Sequence, residues 1–134
     1  MGKSVPRVLV IEDDADVAEI TRYLVNQFSG GRTEWVQDSY AALDALCENR
    51  YDYVIVDQNL PGLKGLELLS AMDNALDRDP VLSDRIVMDR PISVIFMSGA
   101  KVEVPAGFKL KHFVIQDFVA KSSLSRGLAR NLAS

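Results

Sequence analysis

The 134-residue sequence predicts an α/β fold in which a parallel sheet is covered by helices on both faces. Short apolar runs alternate with segments whose apolar residues recur at helical spacing. Strands that lack polar alternation are those buried on both faces. The second observation is where the acids fall. Val8-Leu9-Val10-Ile11 runs into Glu12-Asp13-Asp14, and Tyr53-Val54-Ile55-Val56 runs into Asp57. Carboxylates at strand ends stand at the rim of the core, where open α/β sheets place their chemistry.

Taken in order, Arg7–Ile11 reads as a buried strand. Residues 14–28 follow as an amphipathic helix with Val17, Ile20, Leu24, Val25 and Phe28 inward, stopped at Ser29-Gly30-Gly31. Asp14 begins that helix as a spectator to any chemistry. Residues 33–36 form a short strand, and Asp38 or Ser39 caps a helix reaching Asn49 that buries Leu43, Leu46 and Cys47. Tyr53–Asp57 is the third strand. A third helix runs from about Lys64 to near Leu76 with Leu66, Leu69 and Met72 inward. Residues 93–97 make the fourth strand and 118–120 a short fifth. Ser122 or Ser123 then caps a last helix carrying Leu124, Leu128 and Leu132 on one side.

Two stretches break this rhythm. The connection from about residue 77 to 92 is roughly 16 residues against a usual ~4–6. It carries Asp77-Arg78-Asp79, Asp84-Arg85 and Asp89-Arg90 around Val81-Leu82 and Ile86-Val87. It reads as a solvated extension with exchanging ion pairs, or else as a docking element. After Ala100 the chain reads Lys101-Val102-Glu103-Val104-Pro105-Ala106-Gly107-Phe108. Proline disfavours helix in the residue before it, and Gly107 costs ~1 kcal/mol relative to alanine in a helix. Any helix between strands four and five should therefore be short, shifted or absent.

Composition points to one soluble domain spanning residues 1–134, 48% hydrophobic and 25% charged. A net charge of −4 disfavours a nucleic-acid backbone as direct partner. No apolar stretch approaches the ~20 residues of a membrane span, and residues 1–6 lack the apolar core of a signal peptide. The single cysteine, Cys47, cannot form an internal disulfide, and a reducing cytoplasm is the expected location. His112, the only histidine, reads as a surface or strand-edge residue rather than a phosphorylated one.

Four motifs in order carry a family resemblance: Val-Leu-Val-Ile-Glu-Asp-Asp, Tyr-Asp-Tyr-Val-Ile-Val-Asp-Gln-Asn-Leu-Pro-Gly-Leu-Lys-Gly, Val-Ile-Phe-Met-Ser-Gly-Ala and Asp-Phe-Val-Ala-Lys. Each falls at an expected strand end. The chain resembles a response-regulator receiver domain, similar to the chemotaxis regulators, over nearly its whole length. The resemblance implies a flavodoxin-like, doubly wound five-stranded sheet in the order 2-1-3-4-5. It implies a phosphoacceptor of two-component or phosphorelay signalling, with Asp57 phosphorylated by a histidine kinase or a histidine phosphotransfer protein. A downstream protein partner or a fused effector would read the result. The chain would be a stand-alone regulator or a receiver cut from a longer protein.

By position, Glu12 and Asp13 match the family's acid pair, Asp57 its phosphoacceptor, and Asn59 the residue whose backbone carbonyl binds metal. Pro61 and Gly65 match the following loop, Ser98 the hydroxyl after strand four, Lys121 the conserved-type lysine, and Phe118 the switching aromatic. The implied cofactor is Mg²⁺, held by Glu12, Asp13, Asp57 and Asn59. A carboxylate attacking phosphorus brings two anions together, and a hard divalent cation with oxygen ligands screens them. Lys121 adds a mobile point charge and Ser98 a hydroxyl donor. Enzyme activity would be limited to self-catalysed phosphotransfer and autodephosphorylation. A pseudo-receiver acting as a constitutive interaction module would not need the full acid set with Lys121. An Asp-nucleophile phosphotransferase or phosphatase usually has a second acid two residues after the nucleophile, and position 59 is Asn.

Departures from the family pattern are Ser122 after Lys121 in place of proline, Gly99 after Ser98, Gln58 after Asp57, and phenylalanine rather than tyrosine at 118. A cis bond before a non-proline costs ~2.5–4 kcal/mol, so Lys121 sits on a trans peptide or a strained cis one. Gln58 could affect how water reaches a phosphoryl group.

Overall fold

The computed structural model describes residues 5–60, 63–78, 91–99 and 102–133. Five parallel strands, β1 (Arg7–Ile11), β2 (Arg32–Val36), β3 (Tyr53–Asp57), β4 (Ile92–Ser98) and β5 (Phe113–Ala120), line up in the order 2-1-3-4-5. Four helices connect or follow them: α1 (Ala15–Ser29), α2 (Ser39–Glu48), α3 (Gly65–Arg78) and α4 (Leu124–Leu132). This is the doubly wound, flavodoxin-like fold expected from the sequence.

Strand side chains alternate between faces, which divides the core in two. Leu9, Ile11, Val54, Val56, Val94 and Phe96 pack with α2 and α3. Val8, Val10, Ile55, Ile95, Met97 and Val119 pack on the other face, where α1 and α4 also meet each other. Gly127 of α4 crosses so close to β5 that a Cβ there would collide with the Val119 side chain. The register brings Ile11 beside Val36 and Val56, Asp57 beside Met97, and Ser98 beside Ala120. Strand C-termini are therefore level, and the residues closing β1, β3, β4 and β5 share one edge of the sheet.

Helix boundaries follow local chemistry. Asp14 is the N-cap of α1, its carboxylate accepting from Asp16 N and Val17 N, and Gly30 ends the helix at φ 67. Asp38 caps α2 through Ala41 N. Several inward assignments change. Ile20 is exposed and Thr21 lies buried in its place, while α2 buries Ala42, Ala45 and Leu46 with Leu43 and Cys47 only half-buried. Helix α3 reaches Arg78, so Asp77 and Arg78 belong to it rather than to the following connection. The rest of that connection, residues 79–90, lies outside the described residues, as does Pro61.

β5 starts at Phe113 rather than at Phe118. Burial alternates along its first half because it is an edge strand: Phe113 is buried while Val114 and Gln116 are exposed, although Phe113-Val114-Ile115 are all apolar. The last helix is not capped by a serine hydroxyl. Lys121–Ser123 form a 3₁₀ turn, and Ser123 makes no side-chain cap bond. Among the described residues no peptide is cis, so Lys121 is joined to Ser122 by a trans bond. Residues 102–112 contain no helix, in line with the Pro105 and Gly107 reading. A turn closes there with Phe108 N–H donating to Pro105 O at 3.1 Å, and Gly107 at φ 78. No described helix is long and apolar enough to cross a membrane.

Candidate functional site

The level strand ends bring Glu12, Asp13 and Asp57 together, with carboxylate oxygens within 4.8 Å of one another. Glu12 and Asp57 are buried, at 0% and 2% exposure, and Asp13 faces solvent. Lys121 reaches in from the end of β5. Its Nζ donates to Asp57 Oδ2 at 2.9 Å and stands 4.0 Å from Glu12 Oε2. Asp57 Oδ1 accepts the backbone N–H of Asn59 at 3.0 Å.

Glu12 is anchored on three sides. Its N–H donates to Val36 O at 3.1 Å, its carbonyl accepts the indole N–H of Trp35 at 2.7 Å, and its Oε1 accepts Asp14 N–H at 3.1 Å. Oε2 is buried and accepts no hydrogen bond from the described residues. Burial pushes the Glu12 carboxyl up to about 7; the Asp14 N–H and the Lys121 charge oppose that rise, and the Asp57 charge adds to it. Burial works against charge on Lys121, but its hydrogen bond to Asp57 and the charges of Asp57, Glu12 and Asp13 outweigh it and raise the ammonium pKa. Among the described residues one cation thus serves three carboxylates, and they leave the pocket short of positive charge.

That deficit is the fit expected of a divalent-cation site. The donors are hard oxygens, one buried carboxylate oxygen lacks a hydrogen-bond partner, and one ligand group is open to solvent. Mg²⁺ prefers such oxygen sets and keeps several waters.

Ser98 closes β4 at 5% exposure, paired in register with Ala120, the residue before Lys121. Phe118 is half-buried and stacks on Phe96, with centroids 5.1 Å apart and planes 12° from parallel. Gly99 has open space around it. Asp14 caps α1 and lies outside the carboxylate cluster, as its spectator role requires. His112 is half-buried just before β5. Its Nε2 stands 3.8 Å from Asp77 Oδ1 and its backbone N–H donates to Asp73 Oδ1 at 2.7 Å, remote in sequence from the acidic cluster. Trp35, which holds Glu12, has no signal in the sequence, and Gln58, singled out there for water access, instead places its amide oxygen where it accepts Leu66 N–H at 3.1 Å.

The family model of the response regulator receiver domain matches residues 8–132. The transcriptional regulatory protein PrrA of Mycobacterium tuberculosis is 35% identical over 124 residues, covering 90% of this chain and 49% of PrrA. The chain thus spans about half the length of that curated relative. The chemotaxis protein CheY-3 of Vibrio cholerae is 30% identical over 78 residues, 57% of this chain and 60% of that protein. Among solved structures, a CheY-like receiver domain from Methylobacillus flagellatus superimposes with a TM-score of 0.70 at 24% identity, covering 96% of this chain and 97% of that one. The receiver domain of a sensor histidine kinase from Pseudomonas aeruginosa, with a magnesium ion coordinated in its active-site cleft, gives 0.67 at 19% identity, covering 96% and 95%. At these identities the structures speak for the fold.

Proposed function

The chain belongs to the response regulator receiver domain family, and from that premise we propose that it is a phosphoacceptor in which Asp57 takes a phosphoryl group in the presence of Mg²⁺. The observation that carries this is the buried Asp57 carboxylate, held at 2.9 Å by Lys121 inside a cluster with Glu12 and Asp13. A buried carboxylate held by one cation beside two further carboxylates is poised for a reaction that brings a second cation with it.

The donor is a phosphohistidine on a histidine kinase or histidine phosphotransfer protein. A carboxylate oxygen of Asp57 forms the new bond to phosphorus while the bond from phosphorus to the histidine nitrogen breaks, and that nitrogen takes a proton. The product is an acyl phosphate on Asp57. Glu12, Asp13, Asp57 and the Asn59 carbonyl would hold Mg²⁺, which when bound neutralises charge on the phosphoryl oxygens. Lys121 Nζ, already on Asp57 Oδ2, moves to the phosphoryl oxygens as charge builds there, and the Ser98 hydroxyl donates to one of them. Phe118 follows Ser98 inward and carries the change to a downstream partner or effector. Catalysis is confined to this transfer and to slow hydrolysis of the product.

Intact-mass measurement after incubation with acetyl phosphate, with and without Mg²⁺, tests the reading. The expected result is one added phosphoryl group in wild type with Mg²⁺ and none in Asp57→Asn. Phosphorylation that persists in Asp57→Asn would sink it.

A further inference from the structure

Gln58 bonds to two elements besides β3, from which it continues. Its N–H donates to Met97 O of β4 at 2.9 Å, its carbonyl accepts Gly65 N–H at 2.9 Å, and its side-chain Oε1 accepts Leu66 N–H at 3.1 Å. The first N–H groups of a helix have no acceptor within it. The Gln58 amide oxygen supplies one to α3 from outside, as a cap does. The closure is tight enough to demand glycine at 65, where a Cβ would lie 2.8 Å from Gln58 Oε1, 2.9 Å from the Phe96 ring and 3.0 Å from Asp57 O.

Asn59 lies inside the loop so closed. It forms an antiparallel bridge with Lys64, its side-chain Oδ1 accepts Lys64 Nζ at 3.3 Å, and its N–H donates to Asp57 Oδ1 at 3.0 Å. The backbone running through the phosphoacceptor and the expected carbonyl ligand is thus held from both ends. An apolar side chain at 58 would keep the backbone bonds but leave Leu66 N–H without its acceptor, and a lost partner for a largely buried N–H is costly.

We infer that Gln58 is a positioning residue for cation binding: its side chain clamps the first turn of α3 to the end of β3 and sets Asp57 and Asn59 in place before the cation arrives. This rests on the phosphoacceptor reading above. Groups that orient ligands without touching the metal typically change affinity by about 10–100-fold when removed.

The test is Mg²⁺ titration by calorimetry on wild type, Gln58→Met and Gln58→Glu. Methionine keeps the length and loses the oxygen; glutamate keeps the oxygen. Gln58→Met should bind Mg²⁺ about tenfold more weakly, and Gln58→Glu should recover. Phosphorylation of Gln58→Met should be slow at low Mg²⁺ and reach the wild-type rate at saturation. A capping role alone would lower the melting temperature of Gln58→Met and leave its Mg²⁺ affinity at the wild-type value, which would overturn the inference. Should Gln58→Met fail to fold, amide exchange in wild type decides: Leu66 N–H should be protected without Mg²⁺ and unchanged by adding it. Free exchange at Leu66 until Mg²⁺ is added would also overturn it. A wild type with no Mg²⁺ affinity would instead remove the phosphoacceptor reading itself.

Discussion

Lys121 is the single cation in direct contact with the Asp57 carboxylate among the described residues, and this places two demands on it. It screens the 2%-exposed Asp57 carboxylate, and in the proposed transfer it leaves Oδ2 for the phosphoryl oxygens. With Mg²⁺ present, the first demand is shared and the second is not. In Lys121→Ala the phosphoryl group should still arrive on Asp57, detectable by mass, while the NMR resonances of Ser98 and Phe118 stay at their unphosphorylated positions. Wild-type-like shifts in that variant would remove Lys121 from the response. Trp35 offers a second view of the same residues. Its indole N–H bonds the Glu12 carbonyl, yet in the sequence it is only an aromatic in a strand, because nothing local says which carbonyl it will meet.

At the level of elements, the segment before β5 takes the place of a helix and is pinned by α3. Asp73, buried on α3, accepts Lys111 N–H at 3.1 and 3.0 Å and His112 N–H at 2.7 Å, and Asp77 pairs with Lys111 Nζ at 3.0 Å. Amide exchange should therefore be fast over residues 102–107 and slow at Lys111 and His112. Hydrogen bonds to a charged acceptor contribute roughly 1.5–3 kcal/mol, so Asp73→Ala should lose on the order of 2 kcal/mol in urea unfolding and free those two amides. Unchanged exchange at 111 and 112 would refute the pinning.

The β5–α4 contact gives a pH signature. Burial alone would raise the Asp117 carboxyl, but hydrogen bonds from Asn131, Arg130 and Phe118 N outweigh it and leave the pKa below the ordinary value of 3.8. An acid depressed on folding stabilises above its unfolded pKa, and that contribution is lost as pH falls through the folded value. Arg130 is 59% exposed, so the contribution is about 1 kcal/mol or less. Denaturant unfolding of wild type and Asp117→Ala should differ by that amount at neutral pH and converge well below pH 4.

For the whole molecule, a cation bound only by the folded chain stabilises every part of it at once. At 100 times its dissociation constant such a ligand adds about 2.7 kcal/mol. Mg²⁺ should raise the melting temperature of wild type and hardly move that of Asp13→Asn. Asp13 is exposed, so the substitution itself disturbs little. Equal Mg²⁺ shifts in both proteins would remove Asp13 from the site.

Local pattern is enough to locate the strands and the ends that carry Glu12, Asp13, Asp57, Ser98 and Lys121. Apolar runs, caps and breakers act over a few residues, and parallel pairing then brings the ends level. Local pattern also excludes a helix around Pro105 and Gly107, since both act on their own backbone. Folding in three dimensions decides the rest. The first half of β5 opens with a short apolar run, Phe113-Val114-Ile115, but only its pairing beside β4 at the sheet edge, with Val114 left exposed, makes it a strand. The pairings of Asp73 with Lys111 and His112, Trp35 with Glu12, and Gln58 with Leu66 span 38 and 39, 23, and 8 residues. A hydrogen-bond donor meets whichever acceptor the packed elements bring within about 3 Å of it, and that proximity exists only once the sheet and its helices have closed around it.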